Sequence, residues 1–551
     1  MRSFKILGLI VLASAGCSDH PYDPSGPAID PNAPTIHISS PALGTFAGDV
    51  QMVTVTGDAE DDVAVASVSV NDVPATLNAD GTWTAQVPVV AGTNLLHAVA
   101  TDSSNNTGKA SRAVVAGQTI PVASIVPNAI TAALSAQTFA ALGKGAAGYL
   151  QTADLESIIA PSNPVIDDGA PDGPDCLYVQ GSITSMTVGG ASIALVPQTG
   201  GLALDAELSN VNIGMHLDYA AACIDGSRDI TIAATQVSVK GNLDIGVASG
   251  AFAISLDSPD VTLTGFDAEL GGLTGDIVDL LDLNAAAGPL IGWATEEFVV
   301  PMVNTALDGL NTTKTITVLN TQVDISVTPA SIVFTSAGGI AELNTSLRAH
   351  GDSGNFVDVA NTQPAMDLSQ GFQLAVAANA ANQVLTSLWS AGGLDDTIQL
   401  ANSSYGDIGT LYDSVEISAA APPYVDASGD GLVLTVGDLM GTFKNGDTVT
   451  TEVAINAQVD VKVDAEADGS LQLDVGQPTT YVDVLDQGVS GANQLSNAQF
   501  EAIATFALAR VIAVGSASIG AIPLPALGGV AVQNLSIAPQ TGYLVVDGSV
   551  Q

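Results

Sequence analysis

The sequence predicts an α+β protein: an N-terminal all-β sandwich, then two strand-rich halves that each carry two long helices. Three observations predict this. Between residues 35 and 117, short alternating apolar and polar runs recur between turn residues at sandwich spacing. From residue 128 onward, strands accompanied by two helical segments occur once up to residue 310 and again up to the C-terminus. A strand–turn–strand string also occurs twice, as SIALVPQTGGLALDAEL at 192–208 and LSIAPQTGYLVVDGSV at 535–550, with a looser copy at 327–343. Pro cannot donate to a ladder, so Pro197 and Pro539 fit a strand edge or bend, and Gly200 and Gly542 supply the permissive turn position.

The 551 residues correspond to roughly three or four domains. Against 57 Asp and Glu stand only 12 Lys and Arg, a formal charge of −45. Such a surface repels nucleic acid and anionic membrane, and no basic cluster offers a phosphate grip. At the N-terminus, MRSFKILGLIVLASAGC has a basic start (Arg2, Lys5), an apolar core and small residues before Cys17. It resembles a bacterial lipoprotein signal, which implies cleavage after residue 16, acylation (palmitate) of Cys17 and membrane attachment through that anchor. Ser18 in the next position resembles outer-membrane sorting, facing the periplasm or the cell surface.

Residues 17–34 hold five prolines and no apolar periodicity, a semi-rigid tether reaching about 50 Å. Within 35–117, Val70-Asn71, Asp80-Gly81-Thr82-Trp83, Gly92-Thr93-Asn94 and Ala100-Thr101-Asp102 resemble a bacterial immunoglobulin-like domain. Its acidic stretch Asp58, Glu60, Asp61 and Asp62 is either a solvated loop or a set of oxygen ligands for Ca²⁺. No cofactor is otherwise implied.

The first half, 118–312, opens on a helical segment at 128–159. Strands follow at 176–180, 185–188, 193–197, 202–212, 230–233, 237–247, 252–256 and 261–264, and then a second helix at 273–310. The second half, 313–551, places strands at 315–327, 331–335 and 340–348, a helix at 372–391, strands at 412–419, 431–439, 448–464 and 470–477, and a helix at 497–519. Cys176 and Cys223 form an even pair in an exported chain. A disulfide there would close a loop of about 48 residues and contribute roughly 3–4 kcal/mol; two buried thiols are the alternative.

Three stretches in order, VGGASIALVPQTGGLALDAELSNVNI at 188–213, SAAAPPYVDASGDGLVLTV at 418–436 and IPLPALGGVAVQNLSIAPQTGYLVVDGSV at 522–550, resemble the bactericidal/permeability-increasing, lipopolysaccharide-binding and cholesteryl-ester-transfer family, the tubular lipid-binding (TULIP) fold. The resemblance implies two barrels in a boomerang, each a twisted antiparallel sheet wrapped on long helices. It also implies an apolar pocket for phospholipid or another apolar ligand. Candidate lining residues are Leu134, Leu142 and Leu150 on the first helix, and Leu290, Ile291, Phe298 and Val299 on the second. The second barrel would add Leu374, Val384, Leu388, Phe506 and Ile512. The Ala- and Gly-rich helices either leave room for an acyl tail or permit close helix–sheet packing. Two departures stand out. The family's disulfide ties a strand to a helix, whereas Cys223 falls between strands, and ten mature Lys and Arg (12 minus 2) cannot build a basic endotoxin-binding tip.

The expectation is a lipid-binding or lipid-transfer lipoprotein and not an enzyme; the competing expectation is a structural or adhesive surface protein with a filled core. GDSG at 351–354 beside His350 reads as a turn, because no histidine motif precedes it to build a serine triad. The five histidines lack zinc-ligand spacing.

Overall fold

A computed structural model describes residues 30–169, 177–221, 223–269, 303, 307, 310–318, 320–359, 363–369, 371–400, 408–427, 432–465, 471–486 and 532–550. The immunoglobulin-like segment folds as the alternation predicts. A four-stranded sheet (in order Thr35–Ser40, Met52–Glu60, Thr82–Pro88, Thr76–Leu77) faces a five-stranded one (Thr45–Gly48, Thr107–Ala116, Gly92–Asp102, Val65–Val70, Val73–Pro74). Inward residues of both sheets, among them Val55, Val70, Trp83 and Leu96, close one core.

The next sheet is built from far longer strands. Ile166–Gly169, Tyr178–Gln198, Gly201–Ala221, Ile224–Ala248 and Ala251–Thr264 form an antiparallel meander, with Asp267–Glu269 added to one flank. Strands of 21, 21 and 25 residues replace the shorter pieces expected from the sequence. At about 3.3 Å per residue they run for roughly 70–80 Å. The sequence pattern breaks because the ladder carries irregularities, one between Ile183 and Ser185 and another at Asn210, which has a positive φ of 50°. An extra residue at the first, and a left-handed residue that skips one pair without shifting the register at the second, each flip the side-chain alternation without ending the pairing. Thus the inward row reads Leu202, Leu204, Ala206 before Asn210 and Val211, Met215, Leu217 after it.

A seven-stranded sheet joins the two halves of the chain in the order Thr312–Val318, Thr321–Thr335, Gly338–Ala349, Val126–Ser135, Phe372–Ala377, Tyr543–Val550, Val532–Gln540. A further sheet runs Asp396–Gln399, Ser414–Ala419, Leu432–Asn445, Thr448–Ala465, Leu471–Val475, with Tyr424–Asp426 and Thr479–Asp486 paired to its middle strands. All three strand–turn–strand strings are hairpins. Pro197 faces Leu202 across one turn and Pro539 faces Leu544 at the same position of another, with Gly200 at φ 93° and Gly542 at φ 76°. The looser copy turns between Thr335 and Gly338.

The α+β class, with two TULIP barrels wrapped on long helices, is not what the structure shows. The described residues are mostly β, and their four α-helices span 17, 5, 13 and 4 residues. Two expected helices shorten because their first residues are strands. Val126–Ser135 pairs on both sides, with Gly338–Ala349 and with Phe372–Ala377. A strand buried on both faces shows no alternation, so its Ala-rich run imitates a helix. The helix proper is Ala136–Thr152, capped by the Ser135 hydroxyl, which accepts from the Thr138 amide at 3.3 Å. Likewise Phe372–Ala377 is strand and only Ala378–Ser390 is helix. The helix expected at 273–310 lies outside the described residues apart from 303, 307 and 310, and that at 497–519 lies wholly outside. Among the described residues no helix is long and apolar enough to cross a membrane.

Candidate functional site

One apolar core runs between the long sheet, the Ala136–Thr152 helix and the seven-stranded sheet. Its inner stretch is closed: Leu202, Leu217 and Leu243 are fully buried. The Ala136–Thr152 helix sits hard against the Tyr178–Gln198 strand. A Cβ on Gly143 would fall 2.4 Å from the Ile193 carbonyl oxygen, and Ala146 and Ala147 on the same side are buried. Here the small residues serve close helix–sheet packing and leave no room for an acyl tail.

The outer flank differs. Among the described residues Ala251–Thr264 is an edge strand, and its inward side chains Phe252, Ile254, Val261 and Leu263 are half-buried against the core, with Leu256 between them buried. The row is therefore apolar and incompletely covered along roughly 35 Å of strand. Nothing in the row titrates or bears a nucleophile, so its chemistry is burial of apolar matter.

The structure brings together some of the expected lining residues. Leu134 and Leu150 are buried in this core, and Leu142 and Leu374 are half-buried against it; Leu134 and Leu374 stand on strands, not helices. Val384 is half-buried and Leu388 buried on the Ala378–Ser390 helix, whose buried side is otherwise largely polar. There Gln383 accepts from the Leu347 amide at 2.8 Å and donates to the Val122 and Ser124 carbonyls, and Ser387 donates to Asp352 at 2.6 Å. That helix fastens backbone segments together and makes a poor lipid wall. Leu290, Ile291, Phe298, Val299, Phe506, Ile512, Cys17 and Cys176 lie outside the described residues. Cys223 occupies the turn between Gly201–Ala221 and Ile224–Ala248 at φ 60°. The GDSG segment is a turn before a short strand, with Ser353 exposed and Asp352 accepting from Ser387 and Ser390.

A second buried region was not legible in the sequence. The immunoglobulin-like segment docks on the C-terminal sheet through polar groups. The Asp438 carboxylate accepts from the Gly44 amide at 3.0 Å and the Ala113 amide at 2.9 Å, and Asn456 donates to the Ser111 hydroxyl at 3.0 Å. Arg112 lies 3.7 Å from Asp483, and His97 meets Tyr481 in a tilted ring contact with centroids 4.2 Å apart. Burial pushes the Asp483 carboxyl up to about 6 against the pull of Arg112, and burial raises Asp438 although two amides favour its charged form. Close approach is set by Gly437, where a Cβ would fall 2.4 Å from that of Ala113. The segment is thus a docked module, not a free spacer.

The family model of glucodextranase domain B matches residues 34–118. No curated protein matches the chain. Among solved structures, a lipopolysaccharide binding protein aligns at TM-score 0.38 and 14% identity over 77% of this chain and 99% of its own. P47 of Clostridium botulinum E1 aligns at TM-score 0.25 and 10% identity over 77% and 98%, and P47 of Clostridium botulinum A2 at 0.26 and 10% over 76% and 96%. TM-scores this low carry no argument about fold or function.

Proposed function

We propose that this protein binds an acyl lipid, a phospholipid or another apolar ligand, along the outer flank of the long sheet. The observation that carries the reading is the half-covered row Phe252, Ile254, Val261 and Leu263, which packs on the core yet lacks a full cover among the described residues. Each methylene moved from water onto such a surface contributes up to about 0.8 kcal/mol, so an acyl chain needs no ion pair to be held. No covalent step is involved. Lipid extracted from protein purified from its host should contain acyl chains, and a fluorescent fatty-acid probe should bind. Ile254→Glu, which sets a carboxylate in the ligand's path, should weaken the probe by about tenfold or more in protein that still unfolds cooperatively. Val196→Glu, on a side chain 56% exposed, should not. Empty protein that also rejects the probe would overturn the reading.

A second reading, a structural or adhesive surface protein with a filled core, is favoured by the closed inner stretch around Gly143, and the same measurements decide between them. We extend the proposal to the N-terminus on sequence grounds alone: acylation of Cys17 would anchor the chain in a bacterial outer membrane. Cys17→Ala should move the protein from the membrane to the soluble fraction, and continued retention would count against acylation.

A further inference from the structure

We infer that the immunoglobulin-like module carries a Ca²⁺ site that clamps the Pro-rich segment to it, built from the carboxylates of Asp30, Asp61 and Asp62. One carboxylate oxygen from each of these residues lies within 4.8 Å of the other two. The hydrogen bonds of two of the three residues leave an oxygen unused. Asp30 is 7% exposed; its Oδ1 accepts from the Asn32 amide at 2.9 Å, and its Oδ2 has no hydrogen-bond partner among the described residues. Asp61 Oδ2 accepts from the Val63 and Ala64 amides at 2.9 and 2.8 Å, while its Oδ1 is buried and likewise without a partner. Asp62 accepts from the Asn32 side chain at 2.9 Å. Among the described residues no Lys or Arg forms an ion pair with any of the three.

A buried carboxylate oxygen with neither donor nor cation is costly, and three carboxylates this close repel one another. A cation in their midst removes both penalties. The ligands are all hard oxygens from an irregular loop and a neighbouring strap, which suits Ca²⁺, with its six to eight oxygen ligands and tolerant geometry, better than Mg²⁺. Waters or backbone carbonyls would complete the shell. The strap is already held in place: the Asn106 side chain donates to the carbonyls of Asp30 and Asn32 at 2.9 Å each, and is itself gripped by Asp102 at 2.7 Å. Asp30 lies in the predicted tether, so the ion would fix the direction in which the chain leaves the module.

The test is calorimetric titration of the chelator-treated full chain with CaCl₂ and, separately, MgCl₂ at physiological ionic strength. A saturable Ca²⁺ site is expected, with Mg²⁺ weaker, and Asp30→Asn should lose more than about tenfold in affinity. Glu60→Gln, which removes a neighbouring charge but no ligand, should keep the site. Thermal unfolding adds an independent reading. In chelator Asp30→Asn should melt no lower than wild type, because an unpartnered buried charge is gone, whereas with Ca²⁺ wild type should melt higher. Saturable binding that survives Asp30→Asn, or only weak non-saturable uptake in wild type, would overturn the assignment.

Discussion

Leu204, Met215 and Leu217 in the long sheet are buried among side chains like themselves, whereas Arg112, Asp438, Asn456 and Asp483 are buried as deeply between two separate sheets. The first group gains from leaving water, in proportion to area and with little regard for partner identity. The second must replace every hydrogen bond that water gave it, and here the replacement is incomplete. The Arg112–Asp483 pair is long at 3.7 Å, and the Arg112 Nε has no partner among the described residues. The apolar core therefore holds the fold together, while the polar seam selects where the immunoglobulin-like module sits. A misplaced docking would leave Asp438 without the Gly44 and Ala113 amides that donate to it, and Arg112 without Asp483.

The contrast breaks most sharply at Arg112. Arg112→Met leaves Asp483 buried with no cation and should cost about 3–5 kcal/mol in chemical denaturation. Adding Asp483→Leu removes the orphaned carboxylate, and the double variant should recover most of that loss, since well-packed apolar groups often equal a buried ion pair in stability. A double variant as unstable as the single one would mean that the pair itself, and not the penalty of breaking it, holds the seam.

The same contrast explains what could be read in the sequence. The sandwich strands and all three hairpins were legible because period-two alternation and a Gly at positive φ are local signals. The true length of the two 21-residue strands was not, because a bulge near Ile183 in one and the left-handed Asn210 in the other reverse the alternation that defines a strand. Val126–Ser135 reads as helix in the sequence because Thr131 to Ser135 are buried on both faces of the sheet, which leaves no polar face to alternate. Of the proposed lipid site only the general apolar character was visible; the row on Ala251–Thr264 shows itself only once one knows that the strand is an edge. The polar stripe Asn379, Asn382, Gln383, Thr386 and Ser387 does have helical spacing and could have warned that this helix is no lipid wall. The seam had no such signal: Ser111, Arg112, Asp438, Asn456 and Asp483 are spread over most of the chain, and each looks like an ordinary surface residue until the sheets meet.

A smaller effect separates the two regions by pH. The Asp483 carboxyl, pushed up to about 6 in the folded protein by burial, stands well above the ordinary value of about 3.9 for an unfolded chain. Folding thus favours its protonated form. Below about pH 4 the group is protonated in both states and contributes no difference. As pH rises through about 6 the folded state must bury a charge that the unfolded chain exposes freely, so stability is lost across that window. Asp438 is raised in the same direction by burial. Asp102 and Asp352 work the other way. Burial opposes it, but hydrogen bonds from Asn106 and from Ser387 and Ser390 hold them below the usual carboxylate range, so they weaken the fold only when pH falls below that range. Urea unfolding between pH 5 and 7.5 therefore isolates the seam. Wild type should lose about 1–3 kcal/mol over that interval, and Asp483→Asn should flatten the slope, since the amide cannot ionise. The apolar core has no titrating group to produce such a slope. If the Asp483→Asn profile kept the wild-type slope, the pH dependence would have to come from Asp438 or from the self-repulsion of a chain with 57 acidic residues, and Asp483 would not be its source.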